Sequence, residues 1–128
     1  MSTGPDIGSE VERRAQGVVE LIVPELENTS GFYANLGFTV ERRSADFVSL
    51  IGYGCRLFLA RHAEAQAPSV RGCSLRIVVD DVDAVYRRVV EAGAPTGRAP
   101  DDRGYGLRDF SIDDPNGFAL RFAQVLGS

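Results

Sequence analysis

Residues 18–38, VVELIVPELENTSGFYANLGF, return 56 positions later as SLRIVVDDVDAVYRRVVEAGA (74–94). The shift places Val18 on Ser74, Leu21 on Ile77, Val23 on Val79, Glu25 on Asp81 and Gly37 on Gly93. Each copy opens with a β-branched apolar run, which reads as a strand. Pro24 stops the first run, and a short helix over Glu27–Leu36 carries Phe32, Tyr33 and Leu36 on one side, ending at Gly37. In the second copy Asp81 or Asp83 caps a helix whose apolar stripe is Val82, Val85, Tyr86 and Val89. That is the i, i+3, i+4, i+7 spacing of a half-buried helix, and Gly93 ends it.

Downstream of the first copy, Phe38–Arg42, Asp46–Ile51 and Cys55–Ala60 read as three short strands punctuated by Gly52 and Gly54. After the second, a Pro/Gly/Asp-rich connection over 95–106 leads to strands at Leu107–Ile112 and Phe118–Ala123. Gly54–Ala60 lies on Gly117–Ala123, so the two halves match at both ends. An internal repeat of this kind implies duplication of one supersecondary unit. The expected fold is α+β: two tandem βαβββ modules, about 17–61 and 73–124, with mixed sheets curving around a cavity. Neither half, at about 45–50 residues, buries enough surface to stand alone. Residues 1–15 are polar and aperiodic and read as a flexible arm, 62–72 as a connector, and 16–128 as a single domain.

Composition narrows the function classes. The net charge of −4, from 18 acidic and 14 basic side chains, excludes a general nucleic-acid binder, which needs a basic stripe. Neither an apolar run of roughly 18–20 residues nor a signal-peptide h-region is present, so no membrane span and a cytoplasmic location are expected. Cys55 and Cys73 form no CxxC motif and read as buried free thiols.

The two repeat copies, together with YGLRDFSIDDPNGFALRF (105–122), resemble the vicinal-oxygen-chelate superfamily, which includes glyoxalase I, extradiol dioxygenases and bleomycin-resistance proteins. The matches frame residues 17–124, and Gly106-x-Arg108-x-Phe110-x-x-x-Asp114-Pro115-x-Gly117 is the most specific of them. In metal-dependent members the resemblance implies a His or similar ligand opening the first strand of each half and a Glu in the last strand. Those positions here are Val18, Phe58, Ser74 and Arg121. Valine and phenylalanine offer no lone pair, serine is a poor ligand, and arginine brings positive charge where a cation would sit. The one histidine, His62, is in the connector. No metal and no cofactor are expected. This departure resembles the bleomycin-resistance branch, implied to bind a drug stoichiometrically in grooves of a homodimer.

Strand alternation sorts the remaining residues. Glu20 and Ile22 go with Val18; Arg76 and Val78 with Ser74; Arg56 and Ala60 with Phe58; Ala119 and Ala123 with Arg121. The opposite parity, Leu21, Val23, Ile77, Val79, Leu57, Leu59, Leu120 and Phe122, is uniformly apolar and suits a helix-packed core. A slip of one residue would bury Arg76 and Arg121 under the helices. Phe110 and Ile112 join the core, leaving Asp109 and Ser111 on the cavity face.

The expected ligand-binding set is therefore Glu20, Phe58, Ser74, Arg76, Tyr105, Asp109 and Arg121, with a small molecule as partner. Arginines there could grip a carboxylate or phosphate bidentately, or Glu20 could pair internally with Arg76 or Arg121. Tyr53 and Tyr105, beside glycines, can stack on a ligand or pack at a core edge. His62 and the acidic turn Asp113–Gly117 each have a bland reading, a solvated connector and a hairpin with φ > 0 at Asn-Gly. Bleomycin is large and cationic, and a groove for it would be acidic and aromatic; the charges here are mixed.

Two functions follow, and the leading one is metal-independent sequestration of a small molecule, an antibiotic for instance. The alternative is a metal-free lyase or isomerase of the same fold, with Glu20 as general base and Arg76 or Arg121 holding an oxyanion. A structural or regulatory partner domain is a third, resting only on a weak active-site signal.

Overall fold

A computed structural model describes residues 17–64 and 73–127. They separate into two compact units, one on either side of the 65–72 stretch. The arm over 1–15 and most of the 62–72 connector lie outside the described residues.

The first unit runs β1 (Val19–Val23), α1 (Leu26–Leu36), β2 (Thr39–Arg43), β3 (Phe47–Gly52) and β4 (Cys55–Arg61). The second runs β5 (Ser74–Val78), α2 (Val82–Glu91), β6 (Asp101–Asp102), β7 (Leu107–Asp113) and β8 (Ala119–Val125). Each unit is a βαβββ module with one four-stranded mixed sheet, ordered β1-β4-β3-β2 and β5-β8-β7-β6. The first strand pairs parallel with the last, and the last pairs antiparallel with the third. The repeat read in the sequence is thus a repeat of topology, and the fold is α+β. Strand limits agree with the sequence reading within a residue or two, except that the 95–106 connection, read as irregular, contains β6 and a bridge between Thr96 and Ile112. A two-residue strand has too short a pattern to be seen as alternation.

Alternation then decides what is buried. In the first sheet Val48 faces Leu59 and Leu50 faces Leu57; all four are fully buried. α1, which packs on β2, β3 and β4, sets Leu26, Tyr33 and Leu36 into the core. Its buried hydroxyls are satisfied within the helix, Thr29 Oγ1 donating to the Glu25 carbonyl at 2.9 Å and Ser30 Oγ to that of Glu27 at 3.2 Å. In the second sheet Phe110 pairs with Phe122 and Ile112 with Leu120, under the Val82, Val85 and Val89 face of α2. The Phe110 and Phe122 rings stack at 5.5 Å, and Tyr86 closes on Phe110 edge-on at 5.2 Å.

The helix ends repeat as well. Phe38 N–H donates to the Tyr33 carbonyl and Gly37 N–H to that of Ala34; Ala94 and Gly93 make the same two bonds to Val89 and Val90. This Schellman closure needs a left-handed residue, supplied by Gly37 (φ 115°) and Gly93 (φ 77°). The N-termini differ. Asp81 caps α2 by accepting from Ala84 N–H at 3.1 Å, and Gln124 Oε1 accepts from Val82 N–H at 2.9 Å, whereas Glu25 makes no side-chain cap on α1.

One reading is corrected, and one left open between two alternatives is decided. Both cysteines are free, but Cys73 is exposed at the start of β5 and Cys55 is half-buried; Cys73 precedes the first paired residue and so escapes the core. Tyr53 is a core-edge residue, edge-on to Phe38 with its hydroxyl donating to the Leu36 carbonyl. The acidic turn is structural: buried Asp114 accepts from Asn116 N–H at 2.8 Å and Phe118 N–H at 2.9 Å.

Gly52 has a role beyond punctuation. A Cβ there would lie 2.8 Å from Phe38 Cδ1, 2.9 Å from its Cγ and 3.0 Å from its Cα, so ring and backbone occupy the space any side chain would take. Gly52→Ala is expected to destabilise the chain by about 1–3 kcal/mol, while Gly31→Ala, where a Cβ meets nothing within 4 Å, serves as control. Urea unfolding of the two variants checks this.

Candidate functional site

On the second sheet, the residues of opposite parity to the core form three rows. Ser74, Ala119 and Asp113 are paired across β5, β8 and β7; so are Arg76, Arg121 and Ser111, and then Val78, Ala123 and Asp109. β6 adds Asp101 beside Asp109. Neighbouring strands are about 4.8 Å apart, so each row brings its side chains within mutual reach. Ser74, Arg121, Ser111 and Val78 are exposed on this face.

Its electrostatic centre is Asp109, whose side chain is only 6% exposed. Arg103 Nε donates to Oδ1 at 2.7 Å, Arg76 Nη1 to Oδ2 at 3.2 Å, and Tyr105 Oη to Oδ2 at 2.9 Å. Burial pushes the Asp109 carboxyl up, but hydrogen bonds from Arg103, Tyr105 and Arg76 outweigh it and hold the group below the usual carboxylate range. The same contact with Asp109 raises Arg103. Each arginine spends one N–H on the aspartate out of five, so most of their donors remain free for other partners. Arg121 sits directly opposite Arg76 and has no ion pair among the described residues.

Arg108, of core parity, is held differently. It binds Asp83 of α2 through Nε and Nη2, both at 3.0 Å, and Asp102 of β6 through Nη1 at 3.0 Å. This clamp ties helix and edge strand to β7, and its hydrogen bond lowers the Asp83 pKa.

The first sheet carries a related arrangement. Glu20 and Phe58 are paired on its non-helical face, as are Phe58 and Ser49. Arg56 binds Glu41 through Nε at 3.1 Å and Nη2 at 3.3 Å, with Ser49 Oγ donating at 3.5 Å to the same carboxylate. Glu41 falls in the β-bulge between Val40 and Arg42, where strict alternation fails. Phe58 is buried with its ring edge-on to Phe47, and Glu20 is exposed with no ion pair among the described residues. Glu20 belongs to the first module, while Arg76 has its ion-pair partner, Asp109, within its own sheet.

The structure thus brings Ser74, Arg76, Tyr105, Asp109 and Arg121 onto one face, and places Glu20 and Phe58 on the other module. Arg103 was missed. It follows β6 by one residue, on the parity of Asp101, in the hairpin turn closed by Arg103 N–H to the Leu107 carbonyl at 2.7 Å. The glycines at 104 and 106 were the available signal for that hairpin. A cleft of about 460 Å³ reaches the row at Ser111 alone and is otherwise lined by Pro95, Thr96, Gly97, Ile112, Asp113 and Asp114. A second of about 460 Å³ lies at the start of α1, lined by residues including Pro24, Asn28, Ala45 and Arg61.

The donor chemistry does not fit a divalent metal. Among the described residues no three His, Cys, Asp or Glu side chains gather to hold one. Phe58 is a buried ring, Arg121 stands beside a second guanidinium, and exposed His62 spends Nδ1 accepting from Glu64 N–H at 3.2 Å. No helix among the described residues is long and apolar enough to cross a membrane.

A sequence profile of the glyoxalase/bleomycin resistance protein/dioxygenase superfamily matches residues 15–122. No curated protein matches the chain. Among solved structures, a bleomycin resistance determinant encoded on the transposon Tn5 is 25% identical, covering 88% of this chain and 98% of its own, with a TM-score of 0.75. A bleomycin-binding protein complexed with bleomycin is 25% identical over 87% and 98%, with a TM-score of 0.72. A superfamily protein from Nocardioides, at 22% identity over 95% and 91% with a TM-score of 0.72, shares the fold.

Asp109 binds its proton more weakly folded than unfolded, so its contribution is fully present above the unfolded carboxylate value of about 3.9 and is lost as pH falls through the lower folded value. Asp109→Asn is expected to lower stability at pH 7 by about 1–3 kcal/mol. Calorimetry from pH 7 down to 2 should show the wild-type and variant Tm curves converging at acid pH. Parallel curves would mean that the carboxylate contributes nothing.

Proposed function

The chain belongs to the glyoxalase/bleomycin resistance protein/dioxygenase superfamily, and from that premise we propose that it is a metal-independent small-molecule-binding protein that sequesters its ligand, a natural-product antibiotic, without transforming it. The observation that carries this reading is the chemistry at the family's metal positions. Val18, Phe58 and Ser74 supply no strong donor, and Arg121 would repel a cation from the place where the family's acidic ligand belongs. In its stead stands a face of directed hydrogen-bond donors held rigid by a buried carboxylate. Such pre-organisation favours binding, because the side chains do not have to be ordered when the ligand arrives. The likeness to bleomycin-resistance and bleomycin-binding proteins supports the same mode of action. Homodimerisation is part of the proposal on family grounds.

One observation favours a second reading. Glu20 is exposed and has no ion-pair partner among the described residues, as a general base in a metal-free isomerase or lyase would need. Against it, the residue paired with Glu20 on its own sheet is the buried ring of Phe58, which offers no group to hold an oxyanion.

Thermal unfolding against a panel of bleomycin-type and other antibiotics, with EDTA and divalent metals as controls, tests the proposal. A ligand at about 100 times its Kd adds about 2.7 kcal/mol, which for a chain this long is a rise of several degrees. The expected result is such a rise with one compound class, recovery of that compound unchanged, and no effect of EDTA. A rise with Zn²⁺, Ni²⁺ or Fe²⁺ alone, or a stoichiometric first-row metal in the untagged protein, overturns it.

A further inference from the structure

The row Arg76–Arg121–Ser111 has a feature that folding does not explain. Like charges directly opposite one another in a sheet are destabilising, and Arg76 and Arg121 are paired residue to residue on adjacent β5 and β8. One carboxylate serves this part of the sheet, and it is committed: Asp109 holds Arg76 and Arg103 and is buried. Arg121 is left exposed without an ion pair among the described residues, and the Ser111 hydroxyl is exposed opposite it. Asp113, the nearest further acid on this face, lies one row away opposite Ala119.

We propose that Arg76, Arg121 and Ser111 form an oxyanion-binding site, so that the ligand of this protein carries a carboxylate or phosphate group. The assignment rests on the small-molecule-binding reading and narrows its ligand class. Arg76 is the pre-set half of the site. Asp109 takes one of its N–H groups and fixes the guanidinium, leaving others for the anion. Arg121 is the adaptable half, free to close on the anion from the neighbouring strand. Ser111 donates a third bond from the other side, and the cleft that Ser111 also lines receives the body of the ligand beyond the anionic group. An anion bridging the two guanidiniums also removes the repulsion between them. The site is specific for oxyanions rather than anions at large, because planar guanidinium forks match two oxygens at once.

The test uses inorganic phosphate and acetate as probes, with chloride at matched ionic strength as control. Arginine Nε–Hε and backbone amide resonances of the full chain are followed by ¹⁵N NMR at pH 6. Saturable shifts at Arg76, Arg121 and Ser111 are expected with at least one oxyanion and not with chloride; which probe acts distinguishes a phosphate from a carboxylate ligand. Arg121→Gln should weaken that binding about tenfold or more, while its own Tm holds or rises because a repulsion is gone. Ser111→Ala should weaken it less. No saturable shift with either probe, or binding unchanged in Arg121→Gln, overturns the site. The two proposals fail separately. If an antibiotic binds wild type and Arg121→Gln equally, the oxyanion site falls and sequestration stands. If the oxyanion binds at Arg121 and no antibiotic does, the site stands and the antibiotic reading falls.

Discussion

The strands β4 and β8 each have neighbours on both sides, so their backbone is fixed by two ladders at once. Leu57 and Leu59 in one, Leu120 and Phe122 in the other, are fully buried on the helical side of their sheets. Everything else in each module is registered against that pair of positions. β1 and β5 align parallel to them, β3 and β7 antiparallel, and each helix lies over the apolar parity. Because side chains alternate, fixing one face under a helix fixes the other face as well. Arg76, Arg121 and Asp109 are on the non-helical side as a consequence, before any question of function arises.

What that second face does with its charges depends on a single buried carboxylate. An aspartate with a side chain 6% exposed would be strongly destabilising alone. Three donors from two places in the chain, Arg76 on β5 and Arg103 and Tyr105 in the β6–β7 turn, make it acceptable and are themselves fixed by it. Tyr105 shows the effect most directly: the residue is 62% exposed, yet its hydroxyl is anchored to Asp109. The same carboxylate absorbs Arg76 and leaves Arg121 as the unmatched charge.

At the positions where the resemblance implies metal ligands, this chain carries apolar, weakly donating or cationic residues. The substitution is one of sign as well as identity. A guanidinium where the resemblance places an acidic ligand reverses the sign of the local field at that position. Arg121 thus belongs both to that set of positions and to the arginine row of the second sheet.

The duplication, both helices with their glycine stops and the apolar faces of the central strands were all legible from the sequence. Each is a local matter of period, turn chemistry or side-chain type, and 56-residue self-similarity carried them from one half to the other. Three things were not legible. β6 is two residues long and leaves no period; Arg103 therefore had no strand to be assigned to. The bulge at Glu41 breaks the alternation from which Arg56's surroundings were read. The partner of Arg76 is 33 residues away, and two carboxylates, Glu20 and Asp109, satisfied the same parity argument. The sequence by itself determined which residues share a face. Only the tertiary structure decided which of them touch, because contact depends on strand order and register across the sheet, and neither is written in the spacing along any one strand.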